Sequence, residues 1–445
     1  MSEHHPAAAL VGDQVSLPRE ESADVIVVGA GPGGSATAAW LAKAGRDVIL
    51  LEKSSFPRDK VCGDGLTPRA VRQIIRLGIP TAETDGWAHN HGLRIIGGGM
   101  QLQLDWPDVA SFPSYGMVRH REDLDEVLAR HAESCGARLI ERRNVTTPVL
   151  DDDGRIIGVV AKVMNEQGRA TGETITYRAP IVVAADGVSS RLAIAMGREK
   201  REDRPMGVAV RAYYETPRHN DTHLESHLEL WTKGERGEDI LMPGYGWLFG
   251  LGDGRSNIGL GILNTSEAFG RTDYKDVMRR WVASMPAEWG ISEATITGPI
   301  KSAALPMAFN RQPLYDKGLL LVGDSGGMVN PFNGEGIDYA LEAGQVAAEV
   351  IAQALAAPTA AEQEQTLQLY TSRMKQMHGG YFTLGRHFAK LIGKPEVMRL
   401  ATKYGLPRTT LMRFLLKLMA NLPEEQGGRA DDRIIHAMTR MVPSA

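Results

Sequence analysis

Residues 23–34 read ADVIVVGAGPGG, an apolar, β-branched run that ends in a cluster of glycines. The run fits a strand buried on both faces, as in a parallel sheet. Gly29, Gly31 and Gly34 have the spacing of a G-x-G-x-x-G turn, with Gly33 beside them. In that turn the first glycine permits a tight bend, and the second lets the backbone approach a pyrophosphate. The third lets the following helix pack close on the strand. Free amides and the dipole at the start of that helix favour anionic phosphates. Residues 33–45 supply the helix, rich in Ala and closed by Gly45. Residues 47–51 (DVILL) form a second buried strand, and Glu52 follows it, 18 residues past Gly34. A carboxylate at that spacing accepts hydrogen bonds from ribose hydroxyls. The stretch is a βαβ opening for a dinucleotide, and by itself it leaves NAD and FAD open.

Working outward, residues 121–135 have helical spacing, Gly136 stops them, and residues 137–144 give a third strand. Residues 149–177 are short β runs broken by DDDG and NEQGRATG, which predicts an antiparallel meander. Residues 181–185 (IVVAA) and 319–322 are further buried strands, and a long helix runs from about 336 to 355. Alternating patterns from about 206 to 300 predict a separate sheet, and the chain beyond 363 is mostly helical. The expected division has four parts: a disordered tail over 1–22; a discontinuous cofactor domain over 23–90, 116–205 and 300–362; a substrate sheet over 91–115 and 206–299; and a basic helical region over 363–445.

Two later motifs choose between the dinucleotides. Residues 182–191 (VVAADGVSSR) place Asp186 and Gly187 after a buried strand. Residues 320–327 (LLVGDSGG) place Gly323 and Asp324 after another, and NPFNGEG, residues 330–336, opens the next helix. These segments resemble the flavoprotein class that includes the aromatic hydroxylases. The resemblance implies FAD, bound non-covalently, with the DG motif near the pyrophosphate and the GD aspartate on a ribityl hydroxyl. It also implies that the helix after Gly334 and Gly336, starting at Ile337, points at the flavin's pyrimidine edge, where its dipole would stabilise an anionic reduced ring. Arg121, opening REDLD, matches the class's arginine beside FAD; Lys53 and Arg58 are taken into the same cofactor shell.

A closer resemblance is to the geranylgeranyl reductase family, including its actinobacterial menaquinone-reducing branch. It covers residues 23 to about 421 and rests on FPRDKVCGDGLTP (56–68), SFPSYG (111–116), PGYGWLF (243–249) and NPFNGEGIDYA (330–340). The family hallmark is Tyr-x-Trp-x-Phe-Pro. Here it reads Tyr245, Trp247, Phe249 and then Gly250, which predicts a looser pocket wall. The resemblance implies an α/β fold, a Rossmann-type FAD domain with an inserted antiparallel-sheet substrate domain and a helical C-terminus. It implies reduction of an isoprenoid double bond in the menaquinone side chain or a geranylgeranyl lipid.

An isolated trisubstituted alkene is not a Michael acceptor, so a hydride must be matched by a proton, and positive charge develops at the more substituted carbon. Such a site excludes water and offers aromatic faces to that carbon. Tyr245, Trp247 and Phe249 alternate along a strand and so share one face; ordinary sheet core is the competing reading. Cys62, in Cys-Gly-Asp-Gly, is the candidate to position the alkene or donate the proton; a small residue in a glycine turn is the competing one. A monooxygenase or halogenase on the same scaffold and a non-enzymatic prenyl-binding protein are the alternatives. The electron donor stays open between NAD(P)H and a reduced carrier acting as electron-transfer partner. No metal site is read.

Composition narrows the rest. A net charge of −4 on 445 residues excludes a general attraction to nucleic acid. Two cysteines, Cys62 and Cys135, exclude a disulfide framework and fit a reducing compartment. The first 22 residues lack the pattern of a signal peptide. No apolar run reaches the ~18 residues of a membrane span. Residues 373–417 nevertheless carry ten Lys/Arg against one acid, Glu396, interleaved with Phe and Leu. That pattern fits an anionic membrane surface, hence a cytoplasmic protein held peripherally at the inner face of the membrane. A helical domain with a solvated basic face is the plainer alternative.

Overall fold

In the computed structural model, which describes residues 20–233, 236–265 and 269–445, the opening strand Val25–Val28 lies in the middle of a six-stranded sheet. Its neighbours are Val48–Leu51 and then Arg138–Ile140 on one side, Ile181–Ala184 and then Leu319–Leu321 on the other. All five pair in parallel; only the short edge strand Tyr315–Asp316 is antiparallel. Both faces are covered, as the continuous apolar runs predict. Val25, Val27, Leu50 and Val183 point into a core made with helices Pro32–Lys43, Arg121–Ser134 and Ile337–Leu355. Ile26, Val28, Ile49 and Val182 point the other way, onto the meander Arg143–Leu150, Ile156–Met164 and Ala170–Arg178.

The sheet expected to hold substrate has seven strands, in the order Lys301–Pro306, Met206–Glu215, Arg255–Leu263, Gly244–Gly250, His223–His227, Gly92–Gly97, Met100–Asp105. One face packs on helix Tyr274–Ala283 through Leu248, Ile258 and Trp281. The other carries Phe249 and Leu224 toward helix Thr409–Met419, with Met412 and Leu416 in the same cluster.

Three expectations change. Glu20–Ser22, read as the end of a disordered tail, is an edge strand paired in parallel with Thr176–Arg178; the rest of that tail lies outside the described residues. Backbone hydrogen bonds hold this polar strand, which has no hydrophobic signal to announce it. Lys301–Pro306, assigned to the cofactor domain, pairs with Met206–Arg211 and closes the substrate sheet. The substrate sheet is antiparallel except where His223–His227 runs parallel to Gly92–Gly97, because those strands come from distant segments rather than a hairpin.

The C-terminal helices pack as well as display charge. Phe382, Leu418 and Leu422 are buried, and Lys417 is buried against Asp431 and Asp432 at 3.0 and 2.6 Å. On the outside, Leu391, Leu400, Tyr404 and Leu411 are exposed among Lys390, Lys394, Arg399, Lys403 and Arg408. Among the described residues no helix is long and apolar enough to cross a membrane.

Candidate functional site

The carboxyl ends of the parallel strands converge on one crevice, the place where open α/β sheets bind ligands. Gly29, at φ +98°, lies against the Ala185 backbone, and a Cβ on Gly34 would fall on the Gly29 carbonyl oxygen. Gly33 approaches the GD strand and the long helix, with Val322 Cγ1 2.8 Å and the Ala340 oxygen 3.3 Å from an added Cβ. Gly31 is different. Among the described residues only Arg58 Nη2, at 3.9 Å, comes within 4 Å of a Cβ there, so space remains over the helix start. Gly31 is also the N-cap of Pro32–Lys43 and has no side-chain cap, which leaves amides free for an anion. These features fit a pyrophosphate.

Glu52 is buried beside this turn. It accepts from the Ala30 amide (3.0 Å) and the Ser54 amide (3.1 Å), and Arg58 Nε stands 3.3 Å away. Arg58 also donates to Asp125 (2.9 Å), which Arg121 grips with two bonds of 2.7 and 2.8 Å. Burial works against the Arg121 charge, but Asp125 and then the Cys62 sulfur outweigh it and raise its pKa. Glu52, Arg58 and Arg121 thus form one network. Lys53 is exposed and stands outside it.

Asp186 follows Ile181–Ala184, and its Oδ1 is buried without a hydrogen-bond partner among the described residues. Burial raises its pKa, and Ser190 opposes the shift. Gly187, at φ +78°, brings Lys60 Nζ within 3.7 Å of an added Cβ. An orphaned acceptor beside a cation suits a polar cofactor more than a finished core. Across the crevice, Gly323 turns at φ +69°, and Asp324 Oδ1 lies 3.6 Å from a Cβ built on Gly336. Gly336 is the uncapped N-cap of Ile337–Leu355, and Gly334 takes φ +82° in the turn before it. The GD aspartate and the helix start therefore meet.

The aromatic side of the crevice is built on the loop Cys62-Gly63-Asp64-Gly65. Gly63 and Gly65 lie under Phe249, whose ring carbons are 3.1 and 3.0 Å from added Cβ atoms; Trp247 Nε1 is 3.4 Å from that on Gly63. Tyr245, Trp247 and Phe249 share the face toward this loop, with ring centroids 6.2 and 6.3 Å apart. Gly246, on the opposite face, packs on Trp281. Tyr245 donates to the Asn333 carbonyl at 2.6 Å, tying the strand to the NPFNGEG turn. Gly250 does not loosen the wall: it is buried, and a Cβ there would meet the His219 carbonyl, so the turn Pro217–Asn220 fills the space a proline would need.

Sequence reasoning missed what fixes the loop. Asp64, fully buried at φ +65°, accepts from Asn257 (2.7 Å), Tyr213 (2.9 Å) and the Arg121 amide (3.2 Å). Burial raises its pKa and these donors oppose the shift, with help from His120. Asn257 also donates to the Cys62 carbonyl (2.8 Å) and accepts from Trp247 Nε1 (2.8 Å). One amide thus sets both the cysteine loop and the central tryptophan.

The crevice, its two uncapped helix starts and the Glu52–Arg58 network define an FAD-binding flavoprotein of the aromatic-hydroxylase-like fold. Residues 22–378 match the FAD binding domain family model. The chain is 37% identical over 403 residues to the menaquinone reductase of Mycobacterium tuberculosis, covering 91% of this chain and 92% of that one. It is 27% identical over 424 residues to the digeranylgeranylglycerophospholipid reductase of Methanocaldococcus jannaschii, covering 90% and 95%. Among solved structures, the geranylgeranyl bacteriochlorophyll reductase-like protein of Thermoplasma acidophilum shares the fold, with TM-score 0.73, 21% identity, and 94% and 100% of the two chains covered. The myxobacterial chondrochloren halogenase does so with TM-score 0.65, 20% identity and 95% and 98% covered. The chain belongs to the geranylgeranyl reductase family of FAD-dependent oxidoreductases.

Proposed function

We propose that this protein saturates an isoprenoid double bond of a membrane lipid, with the menaquinone side chain as its substrate. The observation that carries the reading is the aromatic face of Tyr245, Trp247 and Phe249 laid against the Cys62 loop beside the start of Ile337–Leu355. Likeness to menaquinone reductases over nine-tenths of the chain supports the choice of tail.

FAD, bound and reduced, would supply the hydride. The Gly31 cradle and the helix starts at Gly31 and Gly336 would hold it, with Glu52, Arg58, Arg121, Asp186 and Asp324 as polar partners. The apolar cluster of Phe249, Leu224 and Met412 would exclude water from the tail, and the aromatic rings would face the carbon that gains positive charge. Cys62, pinned through its carbonyl by Asn257, would position the alkene. The exposed Leu400 and Tyr404 with Lys394, Arg399 and Lys403 would rest on an anionic bilayer.

The test is mass spectrometry of menaquinone after anaerobic incubation with FAD-loaded protein, a flavin reductant and lipid. Gain of one H2 per saturated bond, confined to the tail, is expected. Oxygenated product in air, with no saturation under anaerobic conditions, would overturn the reading. Lys403→Glu combined with Leu400→Glu is expected to lower co-sedimentation with anionic vesicles at low salt; unchanged co-sedimentation removes the membrane contact.

A further inference from the structure

Beneath the NPFNGEG turn lie more buried carboxyl groups than cations to match them. Glu335 precedes helix Ile337–Leu355, and Asp338 and Glu342 follow on its first turns. Helix Pro68–Leu77 faces them with Arg69, Arg72 and Gln73, all three of which donate to Glu342, at 2.7, 3.3 and 3.0 Å. Arg72 is shared again, with Glu425 at 2.5 Å. His378, packed 3.3 Å from Glu342, is pushed down by burial to about 4 and adds no charge at neutral pH.

Asp338 is left over. It is 1% exposed, and among the described residues neither carboxyl oxygen has a hydrogen-bond partner. Arg69 Nε stands 3.7 Å away, beyond hydrogen-bonding distance, and is already committed through its other nitrogens. A buried carboxylate without donors is costly, and the neutral acid is the inexpensive form. Burial pushes both Asp338 and Glu335 up, and Glu335 pushes Asp338 further. The neighbouring phenols of Tyr339 and Tyr381 are raised by burial and stay neutral.

Glu335, in contrast to Asp338, keeps accessible surface and belongs to the substrate side. Asn333 Nδ2 donates to Glu335 Oε2 at 2.8 Å, and the Asn333 carbonyl accepts from Tyr245. The Tyr245 hydroxyl is close enough to Glu335 and Cys62 that both, after burial, raise its pKa.

We propose that Glu335 and Asp338 hold one proton between them and that Glu335 delivers it to the alkene beside the Tyr245 hydroxyl. This rests on the prenyl-reductase reading. The alkene π bond is lost and two C–H bonds form. Reduced FAD, when bound, would supply one as a hydride with its electron pair and would itself be oxidised. The other takes the proton as the Glu335 O–H bond breaks, which leaves both carboxyl groups ionised until solvent, reaching the accessible surface of Glu335, returns one proton to the pair. Asp338 is a positioning residue in this scheme.

The experiment has two arms on the full-length, FAD-loaded protein. Infrared difference spectra at neutral pH are expected to show a protonated-carboxyl band that shifts in D2O and disappears in Asp338→Asn. A wild-type protein without that band overturns the proposal, whatever its substrate. Single-turnover reduction of the menaquinone tail is expected to be flat at low pH and to fall at high pH. Glu335→Gln should slow it by about 10²-fold or more and abolish that alkaline limb, with the Kd for FAD unchanged. Glu335→Asp, which keeps an acid, should retain the limb. A Glu335→Gln protein that binds FAD and keeps the wild-type rate and limb overturns the proposal. Failure of the wild type to saturate any prenyl chain sinks the functional reading instead, and the infrared arm still decides whether the pair holds a proton.

Discussion

The two sides of the crevice are built from different materials. On the cofactor side, geometry comes from backbone: Gly29 at positive φ, Gly34 against a carbonyl, and two helices begun without side-chain caps. On the substrate side, geometry comes from buried side chains that reach across the chain, such as Asn257 holding Asp64, the Cys62 carbonyl and Trp247 together. Backbone tolerates no added atom but forgives its neighbours' chemistry. Side-chain networks accept small changes of volume but not the loss of a partner.

The sharpest way to break this contrast is at the glycines. Gly34→Ala forces a Cβ onto the Gly29 carbonyl and should cost about 3 kcal/mol or more in denaturant unfolding. Gly31→Ala meets no clash, with Arg58 Nη2 at an ordinary 3.9 Å, so its unfolding midpoint should match wild type while FAD affinity falls. Equal stability losses for the two would mean that Gly31 is structural. On the other side, Asn257→Leu leaves Trp247 Nε1 without its acceptor and takes one of its three donors from Asp64. A loss of about 1–3 kcal/mol is expected, with the flavin retained; loss of flavin would show that the two halves are not separable.

A pH series sharpens the comparison further. His378 is held near 4, below its ordinary 6.5, so between those values the unfolded chain binds more protons than the folded one. Its contribution to stability is present above 6.5 and is lost as pH falls through about 4. Asp338 and Glu335, raised by burial, act with the opposite sign as pH rises above their unfolded values. Unfolding free energy measured across this range should therefore lose part of its acid slope in His378→Gln; an unchanged slope would place the acid sensitivity elsewhere. The smallest effect belongs to the surface pair Arg130–Glu141, where Arg130→Ala should change stability by less than about 1 kcal/mol.

The same contrast explains what could be read from sequence. The Gly29–Gly34 turn, Glu52, the Asp186–Gly187 and Gly323–Asp324 pairs and the three aromatics were legible because each is a local pattern with a local reason. Asp64 and Asn257 were not, because their hydrogen bond joins residues 193 apart and either residue alone is an ordinary loop or strand residue. Glu20–Ser22 escaped for lack of apolar periodicity, since its backbone pairing and the Glu20–Arg178 ion pair join it to residues more than 150 positions away. The charge of the C-terminal helices was legible as a count but not as a surface, because Lys417 is spent internally on Asp431 and Asp432.

The order of strands in the parallel sheet has a consequence for how the protein is made. Leu319–Leu321 is translated last yet lies beside Ile181–Ala184, and the helix that completes the crevice comes later still. A nascent chain halted before that point presents the Ile181–Ala184 edge bare, with its hydrogen-bonding groups open to another strand. The crevice is therefore complete only after residues 319–355 have been made, and shielding that one edge until then is the task a chaperone would have here.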